Sequence, residues 1–112
     1  MSQITTHVLD TSKGIPAKGI TISLEGFNNG DWTELTKGIT DDDGRISDLL
    51  APDALLEPGN YRMVFQTGDY FSAEGINGFY PTVTIVFTTE DTSHYHIPLL
   101  LNPFGYSTYR GS

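Results

Sequence analysis

The apolar positions of this chain recur every second residue in short runs, and turn-forming residues separate the runs. In Pro81-Thr82-Val83-Thr84-Ile85-Val86-Phe87-Thr88, residues Val83, Ile85 and Phe87 fall on one side and threonines mostly on the other. A period of two is the mark of a half-buried strand. Tyr61, Met63 and Phe65 repeat it. Strands are predicted over Ile4–Asp10, Ile20–Gly26, Trp32–Ile39, Gly44–Leu49, Tyr61–Thr67, Thr82–Thr88, Tyr95–Leu101 and Tyr106–Arg110. Helical spacing is sustained nowhere for long. One short helix is predicted at about Asp69–Gly75, where Tyr70, Phe71 and Glu74 span two turns before Gly75 and Gly78 stop it. Twelve glycines and six prolines punctuate the runs. The pattern predicts an all-β fold: an antiparallel β-sandwich of seven to eight strands with one short helix.

Length and composition narrow the picture. All 112 residues are expected to form one domain, residues 1–112, without an internal repeat or linker. A chain of this size buries roughly 65% of its unfolded surface, so a core can hold it together unaided. There is no cysteine, which removes disulfides and thiolate metal sites. A net charge of −8 with six basic residues argues against nucleic acid and anionic membranes as partners. Neither a membrane-spanning run nor a secretory leader is legible, so a cytoplasmic location is expected.

Candidate chemistry is sparse. His94 and His96 are two apart and so share a strand face. A strand histidine is ordinarily a surface residue or a hydrogen-bonded core one. His-x-His with His7 would also make a metal set, but nothing in the sequence brings the third ligand close. Asp41-Asp42-Asp43-Gly44 fails as a calcium loop, because Ile39 and Leu50 stand where acidic ligands are needed. It reads instead as a hairpin turn that delivers Arg45 to the next strand. No nucleophile elbow, phosphate loop or dinucleotide fingerprint is present. The chain closes on Tyr109-Arg110-Gly111-Ser112 after an apolar run. A phenol, a guanidinium and a hydroxyl at the end of a buried strand are costly unless satisfied or used. Hydrolysis by general-base activation of water needs an imidazole and a donor for the developing oxyanion. His7, Arg45, His96 and the Arg110/Ser112 end supply such a set.

Three segments resemble the 5-hydroxyisourate hydrolases, the enzymatic branch of the transthyretin-related family. They are Thr6-His7-Val8-Leu9-Asp10-Thr11 with Gly14-Ile15-Pro16-Ala17, Asp43-Gly44-Arg45, and Tyr95-His96-Ile97-Pro98-Leu99-Leu100-Leu101 running on to Tyr106–Ser112. The terminal Tyr-Arg-Gly-Ser separates this branch from transthyretin itself. The resemblance implies a transthyretin-like β-sandwich. It also implies a homotetramer, a dimer of dimers, with sites at the dimer–dimer interface. The implied substrate is 5-hydroxyisourate, the product of urate oxidation. It would be opened by water to 2-oxo-4-hydroxy-4-carboxy-5-ureidoimidazoline. Catalytic roles fall on His7, Arg45, His96 and Ser112. Substrate binding is assigned to the same four with Tyr109, Arg110 and Gly111. No metal and no cofactor are implied, and His94 receives no role. Leu99 to Leu101, Phe104 and Tyr106 are expected to form an exposed apolar patch that assembly covers. A small-ligand carrier and a metal-dependent hydrolase using His7, His94 and His96 are the competing readings.

Overall fold

The computed structural model describes residues 2–112. Its strands are β1 (Ile4–Asp10), β2 (Ile15–Pro16), β3 (Thr21–Asn28), β4 (Asp31–Ile39), β5 (Gly59–Phe65), β6 (Val83–Thr89), β7 (Tyr95–Asn102) and β8 (Gly105–Thr108), with one helix, α1 (Thr67–Ala73). They make two four-stranded sheets in the orders β2-β1-β7-β8 and β4-β3-β5-β6. All pairings are antiparallel except β1 with β7, which run parallel. Alternation sends one face of each sheet inward. Ile4, Val8, Tyr95, Ile97, Leu99 and Leu101 meet Ile22, Leu24, Tyr61, Met63, Phe65 and Val83 in one core. Helix α1 adds Phe71 to it. No helix among the described residues is long and apolar enough to cross a membrane.

Most predicted strands stand within two residues of their expected ends. Three departures have physical causes. The stretch Gly44–Leu49 is not a strand. The Asp41 carboxylate accepts the N–H groups of Asp43 and Arg45, at 2.9 and 3.0 Å, and so coils the chain into a turn. Beyond it Ile46, Leu49 and Leu50 are the buried positions, a spacing of turns and not of alternation. The helix starts two residues earlier than predicted, because Thr67 is buried and continues from β5 into the first turn. Finally, Leu99 and Leu101 are already 0% and 2% exposed within one chain, so they form no surface patch. Phe104 and Tyr106, by contrast, are exposed at 73% and 43%.

One buried carboxylate ties helix to sheet. Asp10 ends β1 on its inner face, fully buried. Burial pushes its pKa up, but bonds from the Ser12 hydroxyl, the Tyr70 hydroxyl and the backbone at Ser12 and Lys13 outweigh that and hold it below the ordinary 3.8. The Tyr70 phenol donates to Asp10 Oδ2 at 2.7 Å, and burial with this bond drives the Tyr70 pKa upward. A carboxyl whose folded pKa is lowered stabilises the fold above its unfolded pKa, and that contribution is lost as pH falls through the folded value. Urea unfolding from about pH 5 down to about pH 2 should therefore show a steeper loss for the wild type than for Asp10→Asn. Parallel curves would mean that Asp10 contributes nothing to acid stability.

Candidate active site

The outward face of the first sheet carries the candidate histidines. On β1 the inward residues are Ile4, Thr6, Val8 and Asp10, which leaves Thr5, His7 and Leu9 half-buried on the other side. In the parallel register Thr5 stands opposite His96 and His7 opposite Pro98. Directly opposed residues share a face, so both imidazoles lie on the same side, one strand apart. The Thr6 hydroxyl donates to the Ile97 carbonyl at 2.6 Å and helps hold this register from the core side.

Arg45 reaches this face through a backbone clasp. The Val8 N–H donates to the Gly44 carbonyl at 2.9 Å, and His7 and Arg45 form an isolated antiparallel bridge. Gly44 has φ +73°, and a β-carbon there would collide with the Val8 carbonyl oxygen. Only glycine permits both the left-handed turn and the approach. The exposed Arg45 guanidinium is thereby tethered beside β1.

The 109–112 segment reaches His96 in a similar way. Strand β8 pairs with β7 from Asn102 back to Leu99. Pro98 then offers no N–H, and the ladder breaks there. It resumes in the same register where the Gly111 N–H donates to the His96 carbonyl at 2.8 Å. A β-carbon on Gly111 would come within 2.5 Å of His96 Cδ2. The glycine lets the segment lie against the imidazole.

These elements enclose a cleft of about 500 Å³ whose lining includes Thr5, Asp41, Arg45, His94, His96 and Ser112. His7 flanks the cleft and is not part of its wall. Tyr109 and Arg110 face a different cavity of about 300 Å³, between β6 and β7, that His96 also borders. There the Arg110 guanidinium stacks over the Tyr95 ring at 4.4 Å, a cation–π contact. The Tyr109–Ser112 segment is thus divided: Ser112 shares the cleft with Arg45 and His96, while Tyr109 and Arg110 line the other cavity.

His96 is the titratable group most shaped by this setting. Burial lowers its pKa below the ordinary 6.5, and the neighbouring charges of His94, His7 and Arg45 lower it further. The ring is therefore neutral at pH 7 and able to take a proton. Two neighbours went unassigned in the sequence. The Thr5 hydroxyl lies 2.8 Å from His96 Nδ1 and 2.8 Å from His94 Nε2. The histidine rings stack with centroids 6.3 Å apart. Their nitrogens converge on a hydroxyl. Among the described residues no group of three or more His, Cys, Asp or Glu side chains is arranged to hold a metal ion.

Known proteins share both the fold and the sequence. The family model described as HIUase/Transthyretin matches residues 4–111. A probable 5-hydroxyisourate hydrolase of Caenorhabditis elegans is 48% identical over 112 residues, covering 99% of this chain and 82% of that protein. The 5-hydroxyisourate hydrolase of Mus musculus is 45% identical, with 99% and 96% covered. Among solved structures, the 5-hydroxyisourate hydrolase of Klebsiella pneumoniae superposes with a TM-score of 0.85 at 38% identity, covering 97% and 98%. Sea bream transthyretin, solved with thyroxine, gives 0.91 at 30% identity, covering 98% and 95%. Backbone similarity does not separate the two kinds of protein, whereas sequence identity runs higher to the hydrolases. The chain belongs to the HIUase/transthyretin family.

Proposed function

We propose that this protein hydrolyses 5-hydroxyisourate to 2-oxo-4-hydroxy-4-carboxy-5-ureidoimidazoline, with water activated by His96. The observation that carries the reading is a half-buried imidazole, neutral at pH 7, sharing one cleft with a guanidinium and the Ser112 hydroxyl. Water loses a proton to His96 Nε2, the ring nitrogen left free when Nδ1 bonds to Thr5. The hydroxide adds to a ring carbonyl. Arg45 faces the oxygen on which negative charge grows, where a fixed donor lowers the barrier most. The C–N bond then breaks, and the leaving nitrogen takes the proton back from His96. His7 orients the water from the flank of the cleft, and Ser112 hydrogen-bonds the substrate. Gly111 lets Ser112 approach, while Arg110 anchors the segment on Tyr95. The relatives named as 5-hydroxyisourate hydrolases support this substrate.

The same reading extends to assembly. Strands β6 and β8 are each one edge of their sheet, with β4 and β2 at the other edges, and unpaired edges invite pairing with another chain. Val86, Tyr106 and Tyr109 are exposed along them at 58%, 43% and 59%. A homotetramer, a dimer of dimers, covers these edges and places the cleft at the dimer–dimer interface. Gel filtration with light scattering at micromolar concentration should return four chains per particle. A monomer would contradict the assembly.

Urate mixed with urate oxidase generates the substrate in situ, and its absorbance decay should quicken sharply when this protein is added. His96→Ala should lower turnover about 100-fold or more. Because the base form persists below 6.5, the acid limb of the kcat profile should fall at a pH under that value. Unchanged decay, or a near-native rate for His96→Ala, would overturn the reading.

A further inference from the structure

Thr5 and His94 line the cleft beside His96. Thr5 stands opposite His96 in the strand register, and His94 lies next to it outside β7. The Thr5 hydroxyl is within 2.8 Å of both His94 Nε2 and His96 Nδ1. A hydroxyl has one proton to donate and two lone pairs to accept with. It cannot donate to both rings. The arrangement that satisfies all three groups is directional: one ring donates to Thr5, and Thr5 donates to the other.

The direction follows from what His96 must do, so this inference rests on His96 being the base. A free lone pair on Nε2 puts the proton of neutral His96 on Nδ1, which then donates to Thr5 Oγ1. The Thr5 O–H in turn donates to His94 Nε2. These tautomers are assigned from hydrogen bonding and role.

We propose that Thr5 and His94 are positioning residues that form a proton relay behind His96. When water gives its proton to Nε2, Nδ1 passes its own proton to Thr5 Oγ1. The original Thr5 hydroxyl proton moves to His94 Nε2. Only N–H and O–H bonds change, and no proton is lost. His96 ends neutral with its proton on Nε2, facing the leaving nitrogen, and His94 ends as an imidazolium. When Nε2 gives up that proton, the relay runs backward and the site resets.

The two rings differ in how well they can hold a positive charge. At His96 a positive charge is partly desolvated and faces His7 and Arg45. His94 is exposed, so water stabilises its imidazolium. The other ionisable groups around the pair are Asp41 and Asp43 on the cleft wall and Arg110 on the far side of His96. Stacking at 24° between ring planes keeps both nitrogens aimed at the one hydroxyl.

Thr5→Val keeps the β-branched shape and removes the hydroxyl; Thr5→Ser restores it. On freshly generated 5-hydroxyisourate, Thr5→Val should lower kcat about 10-fold with KM changed less than about twofold, and Thr5→Ser should recover most of the rate. His94→Phe, at an exposed position, should cost a similar factor. The double variant should be no slower than Thr5→Val alone, because residues in one chain are not additive. Imidazole ¹⁵N NMR of the substrate-free protein gives a readout independent of turnover. It should place the His96 proton on Nδ1 in the wild type, with that tautomer preference lost in Thr5→Val. Wild-type kcat and pH profile in Thr5→Val, additive costs, or a His96 proton on Nε2 in the free protein would overturn the relay. Failure of the hydrolase reading looks different: the His96 proton sits on Nδ1 as expected, and the wild type leaves 5-hydroxyisourate decay unchanged.

Discussion

The parallel pairing of β1 with β7 is the constraint on which the rest of the site depends. Seven consecutive residues of β1, Ile4 to Asp10, are matched to Tyr95 through Leu101. Strand side chains alternate with a period of two, so a slip of one residue would turn every side chain to the other face. The inward set, from Ile4 and Val8 to Ile97 and Leu99, is fully apolar or internally bonded, and the core therefore holds the register firmly. The same register then determines the outward set. Thr5 meets His96, and His7 lies one step along from it. Burial on one side of the sheet positions chemistry on the other.

Two glycines convert that flat face into a cleft. Gly44 lets the 41–45 turn approach β1 closely enough to bond Val8, and this brings Arg45 next to His7. Gly111 lets the final segment rejoin β7 at His96 after Pro98 interrupts the ladder. A β-carbon would collide with the Val8 carbonyl oxygen at Gly44 and with the His96 ring at Gly111. The two clasps place a permanent cation and a hydroxyl beside an imidazole whose own charge is disfavoured. The backbone is shared with sea bream transthyretin, solved with thyroxine, at a TM-score of 0.91, as well as with the Klebsiella pneumoniae hydrolase at 0.85. Under the proposed function, side chains on the clasps and on the outward face carry the distinction.

Much of the fold was legible because alternation is local. β1 runs from Ile4 to Asp10 as predicted, and β6 differs by one residue at each end. The turn at Asp41–Gly44 was also legible from its residue types, but not its continuation. Asp41 captures the N–H groups of Asp43 and Arg45, which ends any extended run there, and that capture is a matter of geometry. The parallel sense of β1 and β7 joins residues some 90 positions apart, and no local pattern encodes it. For that reason Thr5 went unnoticed and His94 had no role. The Tyr109–Ser112 segment stood out by its chemistry, yet its division between two cavities follows from Pro98 and the resumed ladder. The apolar run Leu99–Leu101 was misread as a surface patch, because whether a sheet face is covered depends on the second sheet.

The central claim is that backbone clasps onto one sheet face assemble a hydrolytic site, so the fold should survive loss of a clasp while turnover does not. Deleting residues 109–112 and measuring kcat on 5-hydroxyisourate beside the far-ultraviolet circular dichroism melt tests it most directly. The account predicts turnover reduced about 100-fold or more, with the sheet spectrum retained and the melting temperature lowered by only a few degrees. A truncated protein that keeps its spectrum and still turns over at the wild-type rate would contradict it.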